Sequence, residues 1–232
     1  MIRLPVLFMA FLFVQASTPD YAEHYGPDYH DALDRLSSHQ PYVTQQFGQG
    51  ETARQLSAVV FPELIRYSAF KDFFETSALV AIYTRTGQVD FSIGPLQMKP
   101  SFVEQLEAAV CQTPALQAHV GIAAYSGTTQ VQVRQQRVAR LQQPQWQWRY
   151  LAAFYAIMQH RFGHYLAGCD PTTSVTFLAT AYNYGFSHSL ASILQHSTDR
   201  YFPYGTGRPG QHSYADVARY YYREHACAYF YS

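Results

Sequence analysis

Thr52-Ala-Arg-Gln-Leu-Ser-Ala-Val-Val-Phe-Pro-Glu-Leu-Ile-Arg66 is the stretch whose reading decides the fold. Its apolar residues Leu56, Val59, Val60 and Leu64 recur at spacings of three and four, which is the period of a helix face. The pattern continues through Phe73, Phe74, Leu79, Val80 and Tyr83, and Gly87 beyond it suits a helix C-terminal cap. Pro62 lies inside the run, where it removes a backbone donor and crowds the preceding turn, so the sequence predicts a kink or two abutting helices.

Outward from this stretch the same periodicity predicts helices over 28–38, 101–110, 129–142, 145–165, 172–184, 187–196 and 214–226. Ser101 and Glu104 stand at capping-box spacing. Residues 18–27, with Pro, Gly and Asp, read as an extended lead-in, 88–100 as a turn segment, and the Gly/Pro-rich 203–210 as a loop. Strand patterns are nearly absent and no internal repeat is visible. The expected fold class is therefore all-α, with helices packed around one core.

Composition narrows the partners. The chain has 232 residues, with 16 basic and 16 acidic, so no global field recruits nucleic acid or an anionic membrane. Charged residues are only 14%, whereas Tyr and Phe number 20 and 16, so much of the surface is Tyr, Gln, Ser and Thr. Rings that stack on sugar faces and amides that meet hydroxyls suit carbohydrate, although a biased genome composition gives the same counts. At the N-terminus Arg3, the apolar run 4–14 and Gln15-Ala16-Ser17 have the layout of an export signal. The run is short for a bilayer. The expectation is a cleaved signal peptide over 1–17, a periplasmic or secreted protein, and no stable membrane span afterwards. Residues 18–50 then read as an N-terminal extension and 51–232 as the main domain. Cys111, Cys169 and Cys227 form no CxxC pair; one disulfide is open to them, with no pairing favoured.

Three groups carry chemistry. Glu63 stands among Val59, Val60, Phe61, Leu64 and Ile65, and apolar surroundings disfavour a carboxylate and raise its pKa. Such a carboxyl can act as a general acid on a glycosidic oxygen. Arg66 and Tyr67 fall on the same helix face, and an arginine there pulls the other way. The second group is the turn Phe91-Ser-Ile-Gly-Pro-Leu-Gln-Met-Lys-Pro100, where Gly94 permits a tight backbone and Gln97 offers both donor and acceptor. Ser92 lies just upstream. The third is Ala181-Tyr-Asn-Tyr-Gly185, which holds the only asparagine of the chain, Asn183.

In that order, the carboxylate, the Gly94/Gln97/Pro100 offsets and Tyr182-Asn183 resemble the signature of lytic transglycosylases and goose-type lysozymes, the transglycosylase SLT-like domain. The resemblance spans roughly 55–190. It implies a lysozyme-like helical domain with a glycan-binding cleft, cutting peptidoglycan strands between N-acetylmuramic acid and N-acetylglucosamine. It also implies Glu63 as the acid/base, with Ser92, Gly94, Gln97, Tyr182 and Asn183 binding substrate, and neither metal nor cofactor. In a transglycosylase the muramic acid's own hydroxyl attacks and leaves a 1,6-anhydro end; in a lysozyme water does so. Two departures stand out. Leu64 follows the glutamate where the family has Ser, and the spacing from Glu63 to Gln97 is longer than usual. Glu75, followed by Thr76-Ser77, is the rival acid, but it sits beside Lys71 and Asp72, which suit a solvated face. A peptidoglycan-binding protein without catalysis remains the alternative. Asp90 reads as a turn cap or a water-positioning carboxylate, and His160 and His164 as packing residues despite their i, i+4 spacing.

Overall fold

The computed structural model describes residues 19–69, 77–204 and 212–230, and among these every regular element is helical. The expected signal peptide, Glu75 and most of the 203–210 loop lie outside the described residues. In chain order the helices are α1 (Tyr21–Tyr25), α2 (Pro27–Ser38), α3 (Gln40–Phe47), α4 (Glu51–Ala69), α5 (Ser77–Thr86), α6 (Pro100–Gln112) and α7 (Pro114–Val120). They continue with α8 (Gln130–Leu141), α9 (Pro144–Ala167), α10 (Pro171–Tyr184), α11 (Leu190–Gln195), α12 (Tyr214–Glu224) and α13 (Ala226–Phe230), and a short 3-10 turn, His196–Thr198, follows α11.

The centre of the molecule is α4. Every residue from Leu56 to Ile65 is buried, which is what an unbroken run of mostly apolar residues requires. Helices α2, α10 and α12 pack around it. Phe61 stacks on Tyr221 of α12 at 4.0 Å and meets Tyr29 of α2 edge-on at 4.9 Å. Of the expected kink or pair of abutting helices, the pair is not found at Pro62: α4 runs as one helix through it. An internal proline costs a helix about 3 kcal/mol, but here packing on three sides holds the segment. The hydroxyl of Tyr214 also donates to the Val59 carbonyl at 2.9 Å, giving that turn a partner from α12.

Two local expectations are corrected. The lead-in is not extended throughout: it contains α1, capped by Asp20, whose Oδ1 accepts from the Glu23 N–H at 3.0 Å, and it buries Tyr21. The capping box at Ser101 and Glu104 does not form. Helix α6 starts one residue earlier, at Pro100; Asp90 accepts from both the N–H and the hydroxyl of Ser101, and Glu104 bonds Tyr83 and Arg137 instead. A capping box does form at Thr129 and Gln132. The residues expected as an N-terminal extension supply Tyr29, Ala32, Leu36 and Val43 to the core. Among the described residues no helix is long and apolar enough to cross a membrane, and Cys111, Cys169 and Cys227 are all free thiols.

Candidate active site

The turn between α5 and α6 is built from backbone bonds outward. The Ile93 N–H donates to the Met98 carbonyl at 3.0 Å and the Gln97 N–H to the Gly94 carbonyl at 2.9 Å, closing a tight loop. Helix α9 clamps that loop with one buried amide. Gln147 donates through Nε2 to the carbonyls of Ile93 and Leu141, both at 2.7 Å, and its Oε1 accepts from the Leu96 N–H at 2.8 Å. Gly94 makes the approach practicable: its φ is +65°, and a Cβ there would lie 2.2 Å from Gln147 Nε2. The sequence expectation for Gly94 was contact with substrate. The structure sets it beneath the loop against Gln147, and it does not line the cavity above.

Gln97 has the left-handed φ of 49°, uncommon for a residue with a side chain. Its Nε2 donates to the Gly94 carbonyl at 2.8 Å, which turns its Oε1 away. That oxygen is buried without a partner, in a residue only 5% exposed. Strained backbone and an unsatisfied buried acceptor are both features that gather at working sites. From α10, Tyr182 packs edge-on to Phe102 and Phe154 and donates its hydroxyl to the Leu96 carbonyl at 2.8 Å. Its phenol proton is thus spent on the loop, while its ring faces the cavity.

Glu63 enters from α4, 4% exposed. Arg66, one turn on, places Nη1 at 2.9 and 3.1 Å from the two carboxylate oxygens. The guanidinium is held independently by the Pro203 carbonyl, 3.0 Å from Nε, and by the ring of Phe202, 5.3 Å away. Burial drives the Glu63 pKa up. The charges of Arg66 and then Lys99 oppose it, as does the hydrogen bond from Arg66, but burial wins. Burial, followed by the Glu63 charge, likewise holds the phenols of Tyr182 and Tyr214 well above their usual range.

Five of the six expected site residues, Glu63, Ser92, Gln97, Tyr182 and Asn183, line one cavity of about 350 Å³. They come from α4, the turn and α10, more than a hundred residues apart in sequence. Lys99, Asp199 and Tyr201 share the same walls, and no local motif in the sequence marks the last two. Asp90 also lies at the wall, with both carboxylate oxygens bonded to Ser101. His160 and His164 are exposed on α9, and between them Phe162 leaves helical geometry (φ −131°, ψ 18°), which breaks the i, i+4 relation. Among the described residues no group of three or more His, Cys, Asp or Glu is arranged to hold a metal ion. Chemically, the site sets a carboxyl that resists ionisation in the same cavity as the exposed amide of Asn183. No protein-family model, curated protein or solved structure matches the chain.

Proposed function

We propose that this protein cuts peptidoglycan glycan strands between N-acetylmuramic acid and N-acetylglucosamine, with Glu63 as a single acid/base in a lysozyme-like cleft. One observation carries the reading: a buried carboxyl with a raised pKa shares a cavity with Gln97, Ser92 and Asn183. Protonated Glu63 gives its proton to the bridging oxygen, and the bond from that oxygen to the anomeric carbon breaks. The carboxylate so formed takes a proton from the incoming hydroxyl. In a transglycosylase this is the C6 hydroxyl of the same muramic acid, which closes the 1,6-anhydro ring without a second carboxylate. Asn183, exposed at the cavity wall, is suited to hydroxyls or an acetamido group, and Gln97 shapes the wall beside it. The N-terminal signal fits an enzyme that works in the periplasm or outside the cell.

A second reading, glycan binding without cleavage, is favoured by Arg66, whose contact with both oxygens of Glu63 stabilises the charged form. Incubation with purified sacculi decides between them. Wild-type protein is expected to release muropeptides carrying anhydro ends, one water lighter than reducing ends, and Glu63→Gln to lower release by at least about a hundredfold while retaining sacculus binding. Binding with no release by the wild type would leave the second reading standing.

A further inference from the structure

A second cavity, about 380 Å³, adjoins the first and shares Asn183, Tyr184, Asp199, Tyr201 and Tyr214 with it. Asp199 leaves the 3-10 turn in extended geometry, φ −63° and ψ 128°. In an extended segment alternate residues face the same side. Asp199 and Tyr201 accordingly line both cavities, while Arg200 between them directs its charge toward Tyr21 and His212. Among the described residues the Asp199 carboxylate has no hydrogen-bond or ion-pair partner, and the Tyr201 ring is 40% exposed.

Several of the hydroxyl protons in this second cavity are already engaged inside the protein. Thr180 donates its hydroxyl to the Thr176 carbonyl at 2.8 Å, Ser197 to Leu194 at 2.8 Å, and Tyr214 to Val59 at 2.9 Å. His196 Nδ1 lies 2.7 Å from the Ser192 carbonyl, so that nitrogen carries a hydrogen and donates it there. Each of these protons is spent inside the protein, and each of the three hydroxyls leaves a lone pair behind. Asp199 adds two more acceptor oxygens and a negative charge. Among the described residues no lysine or arginine lines this cavity, in contrast to the first, which has Arg66 and Lys99. Asn183, Tyr184 and Tyr201 line the same cavity and carry donors of their own, so its neutral groups suit either role; the unpaired negative charge of Asp199 is what favours a cation with N–H donors, an ammonium group. An open tyrosine ring beside the carboxylate gives an alkylammonium a second attraction.

We infer that the second cavity binds a primary ammonium group on an alkyl arm, with Asp199 as counter-ion and Tyr201 as the ring beside it. The source of the amine, a peptide attached to the glycan strand, rests on the function proposed above; the ammonium chemistry does not. Titration of Nα-acetyl-lysine amide into the purified protein, followed by NMR, tests it against the neutral Nε-acetylated analogue. The charged probe is expected to bind roughly tenfold more tightly, and Asp199→Asn to abolish that preference. Tyr201→Ala is expected to weaken the charged probe about threefold. The Asp199 carboxylate has no bonded partner among the described residues, so Asp199→Asn should melt with the wild type, and Tyr201→Ala gives an independent check. Equal affinity for charged and neutral probes, or a preference that survives Asp199→Asn, would overturn the inference; tighter binding of glucosamine would overturn the alkyl assignment. Sacculi with acetylated peptide amines should lose muropeptides more slowly than untreated ones in the wild type and no differently in Asp199→Asn. Equal release by the wild type would overturn the peptide as source. A failure to cleave either sample, with probe binding intact, would count against the proposed cleavage and leave the ammonium site supported.

Discussion

Arg66 is held by the Pro203 carbonyl and the Phe202 ring, so its charge stays beside Glu63 whether or not that carboxyl is ionised. The arginine therefore works as a fixed opponent of burial, setting how far above the ordinary range the Glu63 proton is held. If Glu63 donates that proton, activity falls as pH rises through its pKa. Removing the guanidinium removes the largest effect that lowers the pKa, so the alkaline limb of the pH–rate profile should move upward. In Arg66→Gln a shift of about one unit is expected, in line with the loss of one adjacent opposite charge. An unmoved limb would mean that Glu63 is not the group titrating in the rate. The sequence exposes this opposition in part: the i, i+3 spacing puts Arg66 on the face of Glu63, but the anchors that fix it come from residues 202 and 203, distant in sequence.

Among the elements, α9 does most to shape the site, although it lends the cavity no catalytic group. Its Gln147 satisfies three backbone groups of the turn and its flank with one amide, all of it buried. Gln147→Leu would leave the Ile93 and Leu141 carbonyls and the Leu96 N–H unpaired, at about 1–3 kcal/mol for each buried group. A drop of at least about 3 kcal/mol in urea unfolding is expected, with Gln97 displaced and sacculus binding weakened. Gly94→Ala should fail similarly, because both the Gln147 amide and the positive φ oppose a Cβ. These contacts also explain what periodicity could and could not show. The long amphipathic helices α2, α4, α6, α8, α9, α10 and α12 were legible because their apolar residues mark a face over several turns. Helices α1, α3 and α7, at 5, 8 and 7 residues, offer too few turns for a period to emerge and depend on tertiary packing. Pro62 and Ser101 misled for a shared reason: a local rule predicted an interruption and a cap, while packing of α2, α10 and α12 holds α4 continuous and Asp90, distant in sequence, bonds Ser101 instead. The candidate site was legible where a motif carries it, at Glu63, Ser92, Gln97, Tyr182 and Asn183. Gly94 was legible as a required glycine but not as the floor under Gln147. Asp199 and Tyr201 carry no pattern, since an extended segment after a short turn acquires meaning only when it folds over α10.

At the scale of the whole molecule, two buried titratable groups pull stability in opposite directions with pH. His39 joins α2 to α3 and accepts through Nδ1 from Trp148 Nε1 of α9 at 3.3 Å. Burial lowers its pKa from 6.5 to about 4. Between those values the unfolded chain binds a proton that the folded one refuses, so the His39 contribution falls as pH drops from 6.5 toward 4. Glu63 behaves oppositely. Its folded pKa lies above the ordinary carboxyl value of 4.5, so the folded state holds a proton that the unfolded chain has released, and its contribution falls as pH rises out of that range. Each group gives a slope of at most about 1.4 kcal/mol per pH unit inside its own window. Both sit in the one core around α4 and α9, so both should register in the unfolding of the molecule as a unit. His39→Gln keeps an acceptor for Trp148 and removes the titration; its stability, relative to wild type, should improve steadily as pH is lowered from 6.5 to 4. Glu63→Gln should show the mirror image, its relative stability improving as pH rises above 4.5. Urea midpoints measured from pH 4 to 8 would separate the two, and curves for both variants running parallel to wild type would mean that neither group is buried as the fold requires.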